Sequence, residues 1–227
     1  MANNKNRCCT FCGGQDDFDN AFLKLYESSE VESRIVYQDD IFVVVPTIGP
    51  IFKHHILILP KRHIERLSEL DHYELVALEK LVATLRCKLS DCGDSVIGFE
   101  HGSTSEKGAS CGIYHAHLHM MPVPSELMLS RFFYDDSKIQ QFDTIKNCYI
   151  DLRSQNSDHY LVAVNFDNSI YHLDLSKNDS QSSLYPSQFF RKMISDHYEL
   201  GTSSDWRDYQ FVDASVIDTI NKYQANI

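Results

Sequence analysis

The most regular alternation of apolar and polar positions runs over residues 113–124, where His115, His117 and His119 interleave with Ala116, Leu118 and Met120. A period of two predicts a half-buried β-strand. Three imidazoles would leave one face about 7 Å apart along the strand, while the intervening side chains enter a core. Such a row suits two chemistries. One is metal ligation; the other is nucleophilic attack by one imidazole, with its neighbours donating hydrogen bonds to the developing negative charge.

Three shorter apolar runs precede it, at 34–38, 41–46 and 55–59. They read as strands, and Asp39-Asp40 is a tight turn that makes the first two an antiparallel hairpin. A different period governs 71–91: Leu75, Leu78, Val82, Leu85 and Leu89 step by threes and fours into one stripe, which predicts a long helix. Asp71 and Glu74 form a capping-box pair at its start, and Gly93 is a fitting stop. Residues 94–100 read as a strand, and 101–112 as a polar loop of the kind whose backbone N–H groups meet anions. Beyond Pro124, residues 125–157 show no clear period. Residues 160–166 and 170–175 predict a β-hairpin turning at Asp167-Asn168-Ser169. Residues 186–200 predict a helix opened by Pro186 and followed by Gly201. The only Trp, Trp206, lies in the aromatic, charged segment 205–209 and is read as packing rather than as a ligand border.

At 227 residues, with 43% hydrophobic positions, nine Gly and six Pro, the chain is long enough for one substantial core. Its net charge of −11 argues against a general nucleic-acid binder. No apolar run approaches the ~20 residues that cross a bilayer, so no membrane partner is expected. The polar start, residues 1–7, has no apolar stretch of the signal-peptide kind. Seven cysteines, clustered at Cys8, Cys9 and Cys12 and otherwise scattered, fit a reducing cytoplasm. Cys9-Thr-Phe-Cys12 has the spacing of half a zinc site. No second such pair exists, so histidines are the candidates to complete it. Lys53, His54 and His55 precede an apolar run that ends in Lys61, Arg62 and His63, a local positive cluster that suggests an anionic ligand or simply solvated strand ends.

His115-Ala-His117-Leu-His119-Met-Met121 resembles the signature of the histidine-triad (HIT) superfamily of nucleotide hydrolases and transferases. His55-Ile-Leu-Ile-Leu-Pro-Lys-Arg-His63 is similar to the strand that precedes it in that family. Tyr37–Asp40 matches the family's hairpin, and Cys9-Thr-Phe-Cys12 the start of many zinc-bearing bacterial members. The resemblance covers residues 9–124 in order. It implies an α+β fold, an antiparallel sheet of about five strands with the long helix packed on one face. Residues 1–124 would be the HIT domain, with an N-terminal zinc knuckle. Residues 125–227 would be a C-terminal β-hairpin and helix extension packed on it.

By the same resemblance His117 is the nucleophile, attacking the α-phosphorus of a purine nucleotide conjugate to give a covalent nucleotidyl-histidine. His119 and His55 donate hydrogen bonds to the phosphate oxygens. Cys9, Cys12, His63 and His115 hold a structural zinc, with Cys8 a rival for Cys9, and the chain forms a homodimer. Two departures define further substrate-binding candidates. Gly112, preceded by Cys111, stands where the family often has a Ser or Thr that meets the leaving group. Glu100, followed by His101, stands where other branches have Asn or Gln. The leading reading is a hydrolase of dinucleoside polyphosphates, phosphoramidates or similar conjugates. The alternatives are a phosphorylase that passes the nucleotidyl group to phosphate, a nucleotide-binding regulatory protein, and a zinc hydrolase using the three histidines around an open water.

Overall fold

Asp39 makes the first reversal of the chain. Its Oδ1 accepts hydrogen bonds from the Ile41 and Phe42 amides at 2.8 and 2.7 Å, an Asx turn that joins β1 (Tyr37–Gln38) to β2 (Phe42–Pro46). The computed structural model describes residues 9, 11, 22, 25–27, 31–91, 95–104, 113–134, 138–176, 183–201, 205–209 and 211–224. Cys8, Cys12, Gly93, Cys111 and Gly112 fall outside them, as do most of residues 16–33 and of the 101–112 loop.

β3 (Ile56–Pro60) runs antiparallel to β2. It leads through a short 3-10 turn to α1 (His72–Ser90). The predicted capping box is present: Asp71 accepts from the Glu74 amide at 2.8 Å, and Glu74 accepts from the Asp71 amide at 2.7 Å. β4 (Ser95–Ser103) and β5 (Leu118–Val123) follow, and β5 inserts between β3 and β4. Its His119 pairs with Leu57 on one side and Phe99 on the other. The predicted His strand therefore begins at Leu118, and His115 and His117 lie in the extended approach to it.

Among the described residues the expectation of about five strands is corrected to eight in one sheet, ordered β1-β2-β3-β5-β4-β7-β8-β6 with every pairing antiparallel. The additional strands are β6 (Ile139–Phe142), β7 (His159–Val164) and β8 (Ile170–Asp174). The physical reason lies in β4, which runs to Ser103 and offers an outer edge of backbone donors and acceptors that burial obliges to pair. β7 takes that edge from Gly98 to Ser103, and β8 and β6 continue outward. α2 (Ile145–Ser154) connects β6 to β7; α3 (Phe189–His197) and α4 (Ala214–Gln224) come later in the chain. β6, α2 and α4 fall in stretches where no element was expected.

The alternation of each strand sorts its side chains between two layers. Ile58, Leu118, Met120 and Val162 enter a core with α1, α2 and α4 on one face. Ile97, Phe99, Met121 and Leu161 pack against Phe189, Phe190 and Ile194 of α3 on the other. Beside that second core, Leu57 and Leu59 meet Cys9 and Phe11. His55 and His119, being one residue out of phase with Ile56 and Leu118, face the side covered by α3. No helix among the described residues is long and apolar enough to cross a membrane.

Candidate active site

His55, His117 and His119 come together on the α3 side of the sheet. The His117 and His119 rings are 4.9 Å apart by centroid, and those of His55 and His119 5.1 Å. Their hydrogen bonds fix which nitrogen carries each proton. His117 Nδ1 lies 2.8 Å from the His115 carbonyl oxygen. A carbonyl only accepts, so Nδ1 carries the proton and Nε2 keeps its lone pair. The Ile51 amide donates to His55 Nδ1 at 3.3 Å, which puts the His55 proton on Nε2. That nitrogen is 2.8 Å from His119 Nδ1, so His119 accepts there and carries its own proton on Nε2. Burial pushes all three pKa values down, well below the ordinary value for His55 and His119. For His117 the fall is opposed by the hydrogen bond to His115 and the charge of Glu100. The result is one imidazole unprotonated at Nε2 beside a second that carries its proton on Nε2. His55 accordingly sets the tautomer of His119, and it is not among the described residues lining either lobe of the adjoining cleft.

His115 belongs to a different cluster. Its Nε2 donates to the Pro60 carbonyl at 2.7 Å, leaving Nδ1 unprotonated and 3.6 Å from Cys9 Sγ. Potential ligand atoms of Cys9, His63 and His115 lie within 4.8 Å of one another, a spacing compatible with one metal ion.

His117 and His119 line a cleft of two lobes. The larger, about 460 Å³, is bounded by Phe11, Arg34, Ile48, Leu57 and Trp206. The smaller, about 280 Å³, is bounded by Phe99, His101, Phe189 and Phe190. Gln188 and Arg191 of the α3 region line both lobes. These two, with Trp206, were not singled out as ligand-contacting from the sequence, although the segment holding Trp206 was noted. Arg34 and Arg191 are both buried, and they hold two carbonyls three residues apart where β2 gives way to the next loop: Arg34 Nη1 donates to the Pro46 carbonyl at 2.8 Å and Arg191 Nη2 to that of Gly49 at 2.5 Å. Gly49 has a φ of +62°, and a Cβ there would overlap the Tyr209 ring at 2.3 Å, so the loop and the C-terminal segment fit only around glycine.

Comparison with known proteins follows the same residues. A family described as "Scavenger mRNA decapping enzyme C-term binding" matches residues 19–132. An adenosine 5'-monophosphoramidase HINT3 from Xenopus tropicalis is 30% identical over 124 residues, 52% of this chain and 77% of its own length. The chain belongs to the histidine-triad superfamily. An uncharacterized HIT-like protein from Methanocaldococcus jannaschii is 26% identical over 128 residues, 55% of this HIT chain and 88% of its own. A solved histidine triad nucleotide-binding protein from Sulfolobus tokodaii shares 26% identity over 44% of this chain and 66% of its own, with a TM-score of 0.36.

Within this HIT chain the remaining site candidates divide. His101 lines the smaller lobe; its ring stacks on His159 with the two Nε2 atoms 3.0 Å apart, and burial lowers its pKa to about 3. Glu100 is absent from the described lining of both lobes. It points to the helix side of the sheet, where its carboxyl accepts from the Leu67 amide and the Tyr160 hydroxyl, each at 2.9 Å. Part of the basic cluster around β3 is likewise taken up by helices. Lys53 pairs with Asp218 and Arg62 with Glu74, while His54 Nδ1 lies 3.1 Å from the Thr219 hydroxyl.

Desolvation raises Glu100 from its ordinary 4.5 to about 7, against the hydrogen bonds it accepts. A carboxyl with a raised folded pKa favours the fold below its unfolded pKa, and that contribution is lost as pH climbs through the folded value. The cost should therefore grow between pH 4.5 and about 7 and reach about 3 kcal/mol at most. Glu100→Gln cannot ionise, so its unfolding free energy in urea should gain on that of the wild type between pH 5 and pH 8. An equal difference at the two pH values would contradict the assignment.

Proposed function

We propose that this HIT chain is a nucleotide hydrolase acting at the α-phosphate of a purine-nucleotide conjugate, with the nucleotidyl group carried on His117. The observation that supports it best is the hydrogen bond from His117 Nδ1 to the His115 carbonyl, which leaves Nε2 unprotonated on a residue that lines both lobes of the cleft. His117 Nε2 attacks phosphorus and the bond to the leaving group breaks. Water then takes the nucleotidyl group and returns the imidazole to its resting form. His119, protonated on Nε2 through the chain from the Ile51 amide and His55, donates to the phosphoryl oxygen as its charge develops. The name of the HINT3 relative, a monophosphoramidase acting on an adenosine compound, agrees with this class of substrate.

A panel of dinucleoside polyphosphates and nucleoside phosphoramidates, run with and without inorganic phosphate, tests the reading. Release of nucleoside monophosphate without a need for phosphate is expected, as is its loss in His117→Ala. His119→Ala, missing one donor, should retain a rate lowered by about 10²–10³-fold. Full activity in His117→Ala would overturn the nucleophile, and strict dependence on phosphate would make the protein a phosphorylase.

The Cys9, His63 and His115 cluster fits a structural zinc, with Cys12, outside the described residues, as the fourth ligand. The tautomer of His115 favours this, since its Nδ1 is the nitrogen turned to Cys9. A Cys₂His₂ set has no open position for water, so its work is to pin the N-terminal segment against the approach to β5. Protein purified without chelator should carry about one zinc per chain, and His63→Ala should lose both the metal and thermal stability. Metal-free wild-type protein of unchanged melting temperature would remove the assignment.

A further inference from the structure

The chain is strongly acidic, yet the described residues lining the cleft include two buried guanidiniums, Arg34 and Arg191, and no Asp or Glu. Arg191 is only 2% exposed and borders both lobes beside His117 and His119. It comes from α3, which packs on the sheet through Phe189 and Phe190. The Phe190 ring lies 5.0 Å from that of Phe99, which itself stacks on His119 at 4.3 Å. This packing fixes the Arg191 stem relative to the triad. Gln188, immediately ahead of α3, holds a left-handed φ of +64°, a conformation costly for a side chain of its kind. In the C-terminal segment the Asp205 carboxyl is held below its ordinary pKa first by its hydrogen bonds from Arg207 Nε, at 2.8 and 3.0 Å, and also by the charge of Arg191.

We propose that Arg191, supported by Gln188, forms a leaving-group subsite that selects conjugates whose leaving group is itself a phosphate chain. This rests on the hydrolase reading for its chemistry and on the cleft geometry for its charge. When His117 Nε2 forms its bond to the α-phosphorus, the P–O bond breaks and its electron pair stays on the departing phosphate oxygen. That leaving group gains a negative charge, and a planar guanidinium meets two phosphate oxygens at once. An amine leaving group departs differently. It takes a proton and leaves neutral, so a fixed cation gives it no comparable help. The subsite thus separates polyphosphate conjugates from phosphoramidates within one triad.

Arg191 also holds the Gly49 carbonyl, so a simple loss of activity on mutation would not distinguish the two roles. The deciding quantity is a ratio. In the full-length protein, Arg191→Gln should lower the ratio of kcat/KM for diadenosine polyphosphate over adenosine phosphoramidate by about 100-fold, and Arg191→Lys should restore part of it. A role confined to the Gly49 loop would depress both substrates together and leave the ratio unchanged, which would overturn the subsite. Calorimetry gives a second readout that needs no turnover. Wild type should bind α,β-methylene adenosine diphosphate about 10-fold or more tighter than adenosine monophosphate, with the preference lost in Arg191→Gln. No preference in the wild type, or one that survives the substitution, overturns the proposal. Absence of turnover with the binding preference intact would remove the hydrolase reading and support the subsite.

Discussion

Taking three imidazoles out of water is the constraint on which the site depends. Burial disfavours the imidazolium, so His55, His117 and His119 are held neutral. A neutral imidazole has one donor and one acceptor, and inside a protein both want partners. The backbone supplies them at two points. The His115 carbonyl accepts a hydrogen bond from His117 Nδ1–H, and the Ile51 amide donates to His55 Nδ1. From these two contacts the protonation of the whole row follows, including the N–H on His119. The chemistry of the site is therefore set by main-chain atoms, which no side-chain substitution removes directly.

The sheet carries that arrangement outward. β5 is held between β3 and β4, and β4 in turn is held by β7. Strands β7, β8 and β6 of the second half thereby continue the same sheet. The same half also sends α3 back across the triad face, where Phe190 meets Phe99 and Arg191 reaches the cleft and the Gly49 loop. Sheet extension and cleft construction are two consequences of one packing decision.

Much of the first half was legible because its signals are local. The stripe of Leu75, Leu78, Val82, Leu85 and Leu89 and the Asp71–Glu74 cap gave α1 to within a residue at each end. The alternation around the histidines correctly separated Leu118 and Met120 from His119, even though the strand begins later than the pattern. α2 was readable in principle: Ile145, Cys148, Tyr149 and Leu152 step by helical intervals, and Thr144 caps them by accepting from the Asn147 amide. Its ten residues were lost among polar neighbours. β6 is an edge strand with polar Gln140 and Gln141 between Ile139 and Phe142, so it lacks the alternation that marks a buried strand. Arg191 had no local signal, because an Arg between Phe190 and Lys192 reads as surface charge. It is buried, and the carbonyl its guanidinium holds belongs to Gly49, 142 positions away in sequence. Glu100 shows the converse: its position after Phe99 was apparent, but the side of the sheet it faces became clear only with the Leu67 and Tyr160 partners.

The central claim is that His117 Nε2 is the atom that bonds to phosphorus. The most direct measurement is a millisecond quench of the full-length protein with a conjugate labelled at the α-phosphate, followed by peptide mapping. The account predicts a transient, acid-labile and alkali-stable label on His117 that forms and decays at rates consistent with turnover. Turnover with no protein-bound label at any quench time, or a label that persists in His117→Ala, would contradict it.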